Sequence, residues 1–474
     1  MNTKVSAMIL CGSLFCTAVS AQTPGTDDVQ AQGPLAPGSV RTVKIDEAVS
    51  LALENNLSLE SASIDLRMKK RSKDYSWNVF VPSVQATGTL ARSNQDEGSL
   101  SGLVSIGGNI QPVSVPYELS EKQRWTAMGG LTVSLNLNLA LIESMRAARQ
   151  GYEAGQITWE QAKDQTEQNV RRAFYGILVQ EQSLALAKEK LASSEERLAQ
   201  TRTNFRNGLV PELVYLQTQL AVETQKPQIE EAELNLEQQK NFFAFLIGLP
   251  AGTRIALDGK IEPVIASFNA DELVAKHLGS RLDISLLAKN IALLETQERA
   301  TRFQTYTPSL SLSQSWSPVI PGAAYDLTDF SNWTNSGNWT DSSGAFSATL
   351  VFNLTNILPF TQAGQGRAEI SDSILKLRLA MSQATYNAEL EIRNLVKKLD
   401  KSRTAITAME LNVSIAEKAY RLTEQGYRAG TIEYLDLKDA ETTLLQARLG
   451  VLAEKFTYQT TILDLETALN AQLD

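Results

Sequence analysis

Two aspartates near the carboxyl end, Asp436 and Asp439, are the residues whose type and spacing first suggest chemistry. They belong to the segment YRAGTIEYLDLKDAETTL, which begins at Tyr427 and has Gly430 near its start. A helix that begins at Thr431 would place the two carboxylates three residues apart on one face. Such a pair is either a solvated helix surface or a site that attracts cations, and the spacing alone favours the solvated surface.

Residue types that enzymes commonly use are scarce in this chain. The one histidine, His277, lies in the amphipathic segment AKHLGS, and the two cysteines, Cys11 and Cys16, both lie in the first 21 residues. Nucleophilic catalysis, zinc sites and haem ligation depend on residues that the rest of the chain lacks. We therefore expect no catalytic site, no bound cofactor and no metal centre.

The first 21 residues read as a secretory signal peptide. Lys4 precedes an apolar run, and small residues up to Ala21 form a cleavage site. Cys16 follows Phe15, whereas a lipoprotein signal needs a small residue before its cysteine, so lipidation is not expected. Residues 22–43 are rich in Pro, Gly, Gln and Asp, which predicts a flexible lead.

The charge of the chain limits its partners. The formal net charge is -9 at pH 7, which argues against a nucleic-acid partner. Removal of the signal leaves no cysteine, so disulfide bonds cannot stabilise the mature protein. No later apolar run approaches the roughly 20 residues of a spanning helix, so any membrane part should be a β-barrel.

A coiled-coil seam occurs twice along the chain. Apolar and small residues recur at alternating steps of four and three from Trp159 to Phe205, and again from Met381 to Tyr427. Each member of the second seam follows its counterpart by 222 residues, because 381 − 159 and 427 − 205 both equal 222. The matched phase predicts an internal duplication, with repeats over 44–260 and 261–474.

Each seam predicts a long helix that ends in a hairpin. The helices should cover about 141–207 and 363–429, which corresponds to about 100 Å each. Glycine breaks each helix, and the return helix should begin at Pro211 in the first repeat and at Thr431 in the second. The predicted hairpin tips are therefore residues 208–211 and 430–431.

Four segments alternate strictly between apolar and small polar residues. They lie near 82–92, 126–139, 308–316 and 345–354, and the sequences between the strands of each pair, 93–124 and 317–343, are predicted loops. A soluble sandwich would also show a polar face, but the secretion signal and the tryptophans near the strand ends favour transmembrane strands. Because about eight strands are the minimum for closure, several chains should share one barrel, and three chains would supply twelve strands with no free edge.

With these features the chain resembles the TolC-like outer-membrane efflux protein family, also called outer membrane factors. The segment YRAGTIEYLDLKDAETTLLQAR, 427–448, matches the family's tip hairpin, and AVSLALENNLSLESA, FLIGLPAG and SRLDISLLAKNIALLE are similar to other conserved parts. The resemblance implies an α+β membrane protein: a trimeric barrel with four strands per chain, continued by an α-helical coiled-coil barrel. It also implies a place in the outer membrane of a double-membraned bacterium, reaching into the periplasm.

The resemblance further implies function and partners. The homotrimer, embedded in outer-membrane lipid, would be the exit duct of a tripartite efflux or type I secretion system, together with a periplasmic adaptor and an inner-membrane pump. Family members export drugs, metal ions, siderophores or proteins. The alternative is a structural coiled-coil protein of the periplasm or cell surface, which would explain the seams but not the alternating strands.

The resemblance also assigns residues to the tips. Asp436, Asp439 and Tyr427 would form the periplasmic aperture. Ile432 stands where the family has an arginine that latches the tip, and Val214 occupies the position in the first repeat that matches Asp436. The residues expected to dock the adaptor or pump are Gly208, Leu209, Val210, Gly430, Thr431 and Ile432.

Overall fold

The computed structural model describes residues 41–473, except for 95–96, 107–108, 121–123, 251, 322–328, 330 and 341–343. The predicted signal peptide and most of the predicted lead, up to residue 40, lie outside the described residues. The last three residues of that lead, 41–43, are ordered as a strand. They pair in parallel with residues 255–257, so hydrogen bonding to the main body overrides the polar composition of the lead.

The described part of the first half contains six strands and four α-helices. Two helices precede the first pair of sheet strands, and two long helices follow it. The elements are β1 (Arg41–Val43), α1 (Ile45–Asn55), α2 (Leu57–Asp74), β2 (Ser83–Arg92), β3 (Glu97–Ile106), β4 (Asn109–Glu118), β5 (Trp125–Leu137), α3 (Ala140–Arg206), α4 (Glu212–Leu246) and β6 (Ile255–Leu257).

The second half follows a similar order. Its elements are α5 (Ala270–His277), α6 (Leu282–Tyr306), β7 (Ser309–Trp316), β8 (Val319–Pro321), α7 (Ser331–Thr334), β9 (Gly344–Val351), α8 (Gln362–Arg428) and α9 (Tyr434–Leu469). The long helices α3 and α8 have 67 residues each, and both their first and last residues are offset by 222, since 362 − 140 = 428 − 206 = 222.

Local sequence explains where the helices begin and end. Asn56 separates α1 from α2, and its side chain accepts hydrogen bonds from the backbone N–H groups of Ser58 and Leu59. Thr361 caps α8 in the same way through the N–H of Gly364. The helix α4 continues through Pro227 without interruption.

Four strands form the path β2-β5-β7-β9 of one antiparallel sheet, and the short strand β8 also pairs with β5. The register of this sheet separates the side chains into two faces, because alternate residues of a strand point to opposite sides. One row across all four strands is Ser83, Ser134, Ser313 and Ser347, whereas the next row begins with Val84 and Val133 and ends at Phe346. Serine hydroxyls pair across this polar face at 2.7 Å.

The helices form a layer that continues the sheet. Near the strands, the helices lie side by side in the order α2, α3, α6 and α8. Towards the hairpin tips, the order becomes α4, α3, α9 and α8. A second, smaller layer of α1, β1 and β6 packs on α3 around Phe174, Ile177 and Phe243. The helix α5 packs against α8 and α9.

Within the described residues, no helix has the length and apolar character needed to cross a membrane.

Three expectations about the elements need correction. Residues 97–106 and 109–118, which lie in the predicted loop 93–124, form the strands of a β3–β4 hairpin, because their backbone groups pair with each other over ten residue pairs. The return helix α9 begins at Tyr434 and not at Thr431, since residues 431–433 are needed to turn the chain after Gly430. Part of the second predicted loop, 317–343, also forms the strand β8, which pairs with β5.

Candidate functional site

The tip of the α3–α4 hairpin is closed by a glycine in the left-handed conformation. Gly208 has φ +73°, and its N–H donates to the carbonyl of Phe205 at 2.9 Å. The next N–H, of Leu209, donates to the carbonyl of Asn204 at 2.9 Å, which completes a Schellman motif. The Leu209 side chain is 71% exposed, so this tip presents an apolar group to its surroundings.

The α8–α9 tip repeats that geometry. Gly430 has φ +76°, its N–H donates to Tyr427, and the N–H of Thr431 donates to Gly426 at 2.9 Å. The Ile432 side chain lies over Gly426 so closely that a Cβ on the glycine would be 2.5 Å from its Cδ1. Ile432 therefore packs within its own hairpin.

The two aspartates lie in the first turns of α9 and are both exposed. Asp436 is in the first turn, where a carboxylate interacts favourably with the helix dipole. Among the described residues neither carboxylate forms an ion pair or a side-chain hydrogen bond. Both charges are thus free to act on whatever lies beside the tip.

Tyr427 has a structural neighbour at the tip. Its ring lies 6.3 Å from that of Tyr434, and the two planes are tilted by 56°. Tyr434 is buried, which raises the pKa of its hydroxyl, and a hydrogen bond with Thr218 opposes part of that rise. The aromatic pair therefore supports the start of α9, and Thr218 links it to the first hairpin.

A buried ion pair that the sequence analysis missed joins the two hairpins. Arg197 of α3 donates through both terminal nitrogens to Glu441 of α9, at 3.1 and 3.2 Å. The two side chains are only 9% and 11% exposed. Burial opposes the charge on Arg197, but the hydrogen bonds to Glu441 outweigh it and raise the pKa of Arg197. The repeated seam pattern could not reveal this pair, because Arg197 lies in the first half of the chain and Glu441 in the second.

Two other arginines near the tips have partners. Arg448 of α9 donates to Glu417 of α8 at 2.9 Å and to Glu189 of α3 at 3.5 Å, so it ties three helices together. Arg428 pairs with Glu424 one turn earlier in the same helix, at 2.7 Å. Among the described residues, Arg428 forms no ion pair with another helix.

Comparison with known proteins gives a consistent match. The family model described as outer membrane efflux protein matches residues 48–249 and 317–471. The nodulation protein T of Rhizobium leguminosarum bv. trifolii is 23% identical over 328 residues, which cover 67% of this chain and 66% of that protein. The cation efflux system protein CusC of Escherichia coli O157:H7 is 23% identical over 447 residues, covering 90% and 85%.

Solved structures show the same fold. The CmeC outer membrane channel of Campylobacter jejuni superimposes with a TM-score of 0.68 at 17% identity, over 90% of this chain and 85% of the channel chain.

Proposed function

Because the chain belongs to the outer membrane efflux protein family, we propose that it is the outer-membrane channel of a tripartite efflux or type I secretion system. In this proposal three copies form one continuous exit duct across the outer membrane and the periplasm. The observation that carries the proposal is a four-stranded sheet with two distinct faces and two unpaired edges.

The unpaired edges favour closure with other copies. In the described part of the chain, β2 has a sheet partner only in β5 and β9 only in β7, so each outer edge offers free backbone groups. Four strands are too few to close, since the smallest barrels have about eight. Three copies would supply twelve strands, with the apolar face towards lipid and the serine face towards a wet lumen.

The helices at the two edges of the layer each carry an exposed stripe of apolar residues. On α8 large apolar residues recur at spacings of four residues or multiples of seven on the side away from its buried residues, and they are 40–64% exposed: Leu379, Tyr386, Leu390, Leu411, Ile415 and Leu422. At the opposite edge of the layer, α2 and α4 also expose apolar residues, namely Leu57, Ile64, Met68, Leu213, Leu216, Leu220 and Leu234. In a cyclic trimer the two edges would meet, and both stripes would be buried.

The long helices have the dimensions of a duct. Each has 67 residues, which gives about 100 Å at 1.5 Å per residue. The equal offset of the two halves is consistent with an internal duplication, so the trimer would have six similar hairpins. Such a tube would place the hairpin tips far from the membrane, in the periplasm.

The tips would form the entrance. Three pairs of unpartnered aspartates, Asp436 and Asp439, would ring the aperture, together with Tyr427. Their mutual repulsion and their attraction for cations both follow from proximity. The exposed turns from Gly208 to Val210 and from Gly430 to Ile432 would dock the adaptor or pump. The pair Arg197–Glu441 would hold the hairpins together in the closed state.

Trimer formation and conductance test the proposal together. Protein extracted from outer membranes should migrate on gels as a trimer before heating and as a monomer after it. Reconstituted in planar bilayers, it should open discrete channels. A monomeric, non-conducting protein would instead support a structural coiled coil.

A further inference from the structure

A polar groove runs between α6 and α8 just below the sheet. It is lined by Glu298, Arg302, Tyr306, Gly364, Arg367 and Ala368, and its volume is about 450 Å³. The first residue of β7 follows Tyr306 by three residues, so the groove ends where the strands begin. Exposed apolar residues surround that end, with Tyr306 at 50% and Phe360 at 74%.

Two arginines stand at the same level of the groove. Arg367 stacks its guanidinium over the Tyr306 ring at 5.1 Å and donates to the carbonyl of Asn356 at 3.1 Å, which fixes its position. Arg302 is exposed and has no ion pair or hydrogen bond with any described residue. The free guanidinium beside a fixed one suits a phosphate group, because arginine presents a planar fork of donors.

One carboxylate lies deeper in the groove. Glu298 is four residues before Arg302 on the same helix row, which places it about 6 Å further from the sheet. It too has no ion pair among the described residues. From the sheet downwards the groove therefore offers an aromatic and apolar rim, two cations and then the Glu298 carboxylate, and the continuation of the groove adds the carboxylates of Glu295 and Asp372.

The groove opens on the outer side of the helical layer. Leu375 of α8 lines the continuation of the groove. Arg393 lies 18 residues later on the same helix, which is five full turns, so it is on the same helix face as Leu375. Arg393 donates to Asp271 of α5 at 2.7 Å, so the groove and α5 lie on one side. If the side that carries α5 faced inwards, three copies of that added layer would fill the lumen of a duct. The α5 side, and with it the groove, must therefore lie on the outside of the duct.

We propose that this groove binds the phosphoethanolamine headgroup of a phospholipid in the periplasm-facing leaflet. Its phosphate lies between Arg302 and Arg367, its ammonium reaches Glu298 through the two-carbon spacer, and its acyl chains lie against Tyr306, Phe360 and the apolar sheet face. The site rests on the proposed function, since it requires the sheet to be in the membrane.

Native mass spectrometry of the delipidated protein tests the site. Phosphatidylethanolamine, phosphatidylcholine and phosphatidylglycerol of equal chain length are added separately. We expect one tightly bound phosphatidylethanolamine per chain and weaker binding of phosphatidylcholine, whose methylated ammonium cannot donate to Glu298. Arg302→Gln should weaken phosphatidylethanolamine binding about tenfold, whereas Arg202→Gln, an exposed and equally unpartnered arginine near the tip, should not.

Glu298→Gln separates this site from a general anion site. It should abolish the preference for phosphatidylethanolamine over phosphatidylcholine while phosphatidylglycerol still binds. Equal binding of all three lipids to the unmodified protein, or no effect of Arg302→Gln, would overturn the proposal. The same spectra report the oligomeric state, so a trimer that ignores headgroups defeats only this site, whereas a monomer defeats the proposed function.

Discussion

At the residue scale, Asp436 and Asp439 are exposed charges without a partner. If three chains bring six carboxylates to one axis, multivalent cations should bind among them and block the channel. We expect the double variant Asp436→Asn/Asp439→Asn to form normal trimers and to lose block by a trivalent cation by roughly tenfold. Single-channel recording at increasing cation concentration measures the effect.

A matched control is available on α4. Glu230 is exposed and unpaired in the described chain but lies 18 residues beyond the start of that helix, so Glu230→Gln should leave the block unchanged. If the double variant were blocked as strongly as the unmodified channel, Asp436 and Asp439 would be ordinary solvated residues.

The buried pair Arg197–Glu441 makes a second prediction. Arg197→Met leaves the Glu441 carboxylate buried without a partner, which should destabilise the hairpins by about 3 kcal/mol. Replacing both residues, Arg197→Met/Glu441→Leu, removes the unpaired charge and should recover most of that loss. Denaturant unfolding followed by circular dichroism compares the two. Equal losses of stability in the single and the double variant would show that lost packing, and not the unpaired charge, causes the destabilisation.

The sequence predicts the position of the aspartates but not the pair Arg197–Glu441. The aspartates were located because Gly430 and the 222-residue offset mark the tip within a few residues. The pair Arg197–Glu441 depends on which helices become neighbours, and 244 residues separate its members. No local pattern encodes such a contact.

At the element scale, the hairpin tips depend on glycine. Gly430 has φ +76°, where an L side chain is strained, so Gly430→Ala should cost about 1 kcal/mol. Gly450 is in the interior of α9 with open space around its Cα, so Gly450→Ala should stabilise the same hairpin by about 0.5 to 1 kcal/mol. Opposite shifts in unfolding midpoint are expected, and shifts of the same sign would contradict the assigned turn geometry.

The elements also show which patterns a sequence encodes. The seam residues Ala388, Ile392, Leu399 and Ile406 are buried, because heptad spacing fixes a helix face. The β3–β4 hairpin was missed because Pro112 and Pro116 count against strand, yet its strands pair only with each other in the described chain and leave free edges that tolerate proline. The start of α9 differs by three residues because Thr431 looks like a cap, whereas the turn extends through Glu433.

At the scale of the whole molecule, the proposed trimer makes each chain one third of a closed layer. The repeated pattern predicted the order of the elements, whereas the extra layer of α1, β1 and β6 was not predicted, since β1 lies in a segment of disordered composition. In the proposed trimer, the curvature that closes the layer would depend on contacts between copies. These contacts should involve the exposed stripe on α8, because the other side of that helix is already buried.

Leu379 tests closure of the layer directly. It is 64% exposed in one chain and is the first residue of the α8 stripe. Leu379→Asp should remove about 2 kcal/mol of apolar burial from each of three interfaces and add an unpaired charge to each. Ser373→Asp, also exposed but six residues earlier and about 120° around the same helix from Leu379, provides the matched control. We expect unheated Leu379→Asp to migrate largely as monomer and Ser373→Asp as trimer. If both remained trimeric, the stripe would face solvent or lumen and α8 would not lie at the subunit boundary.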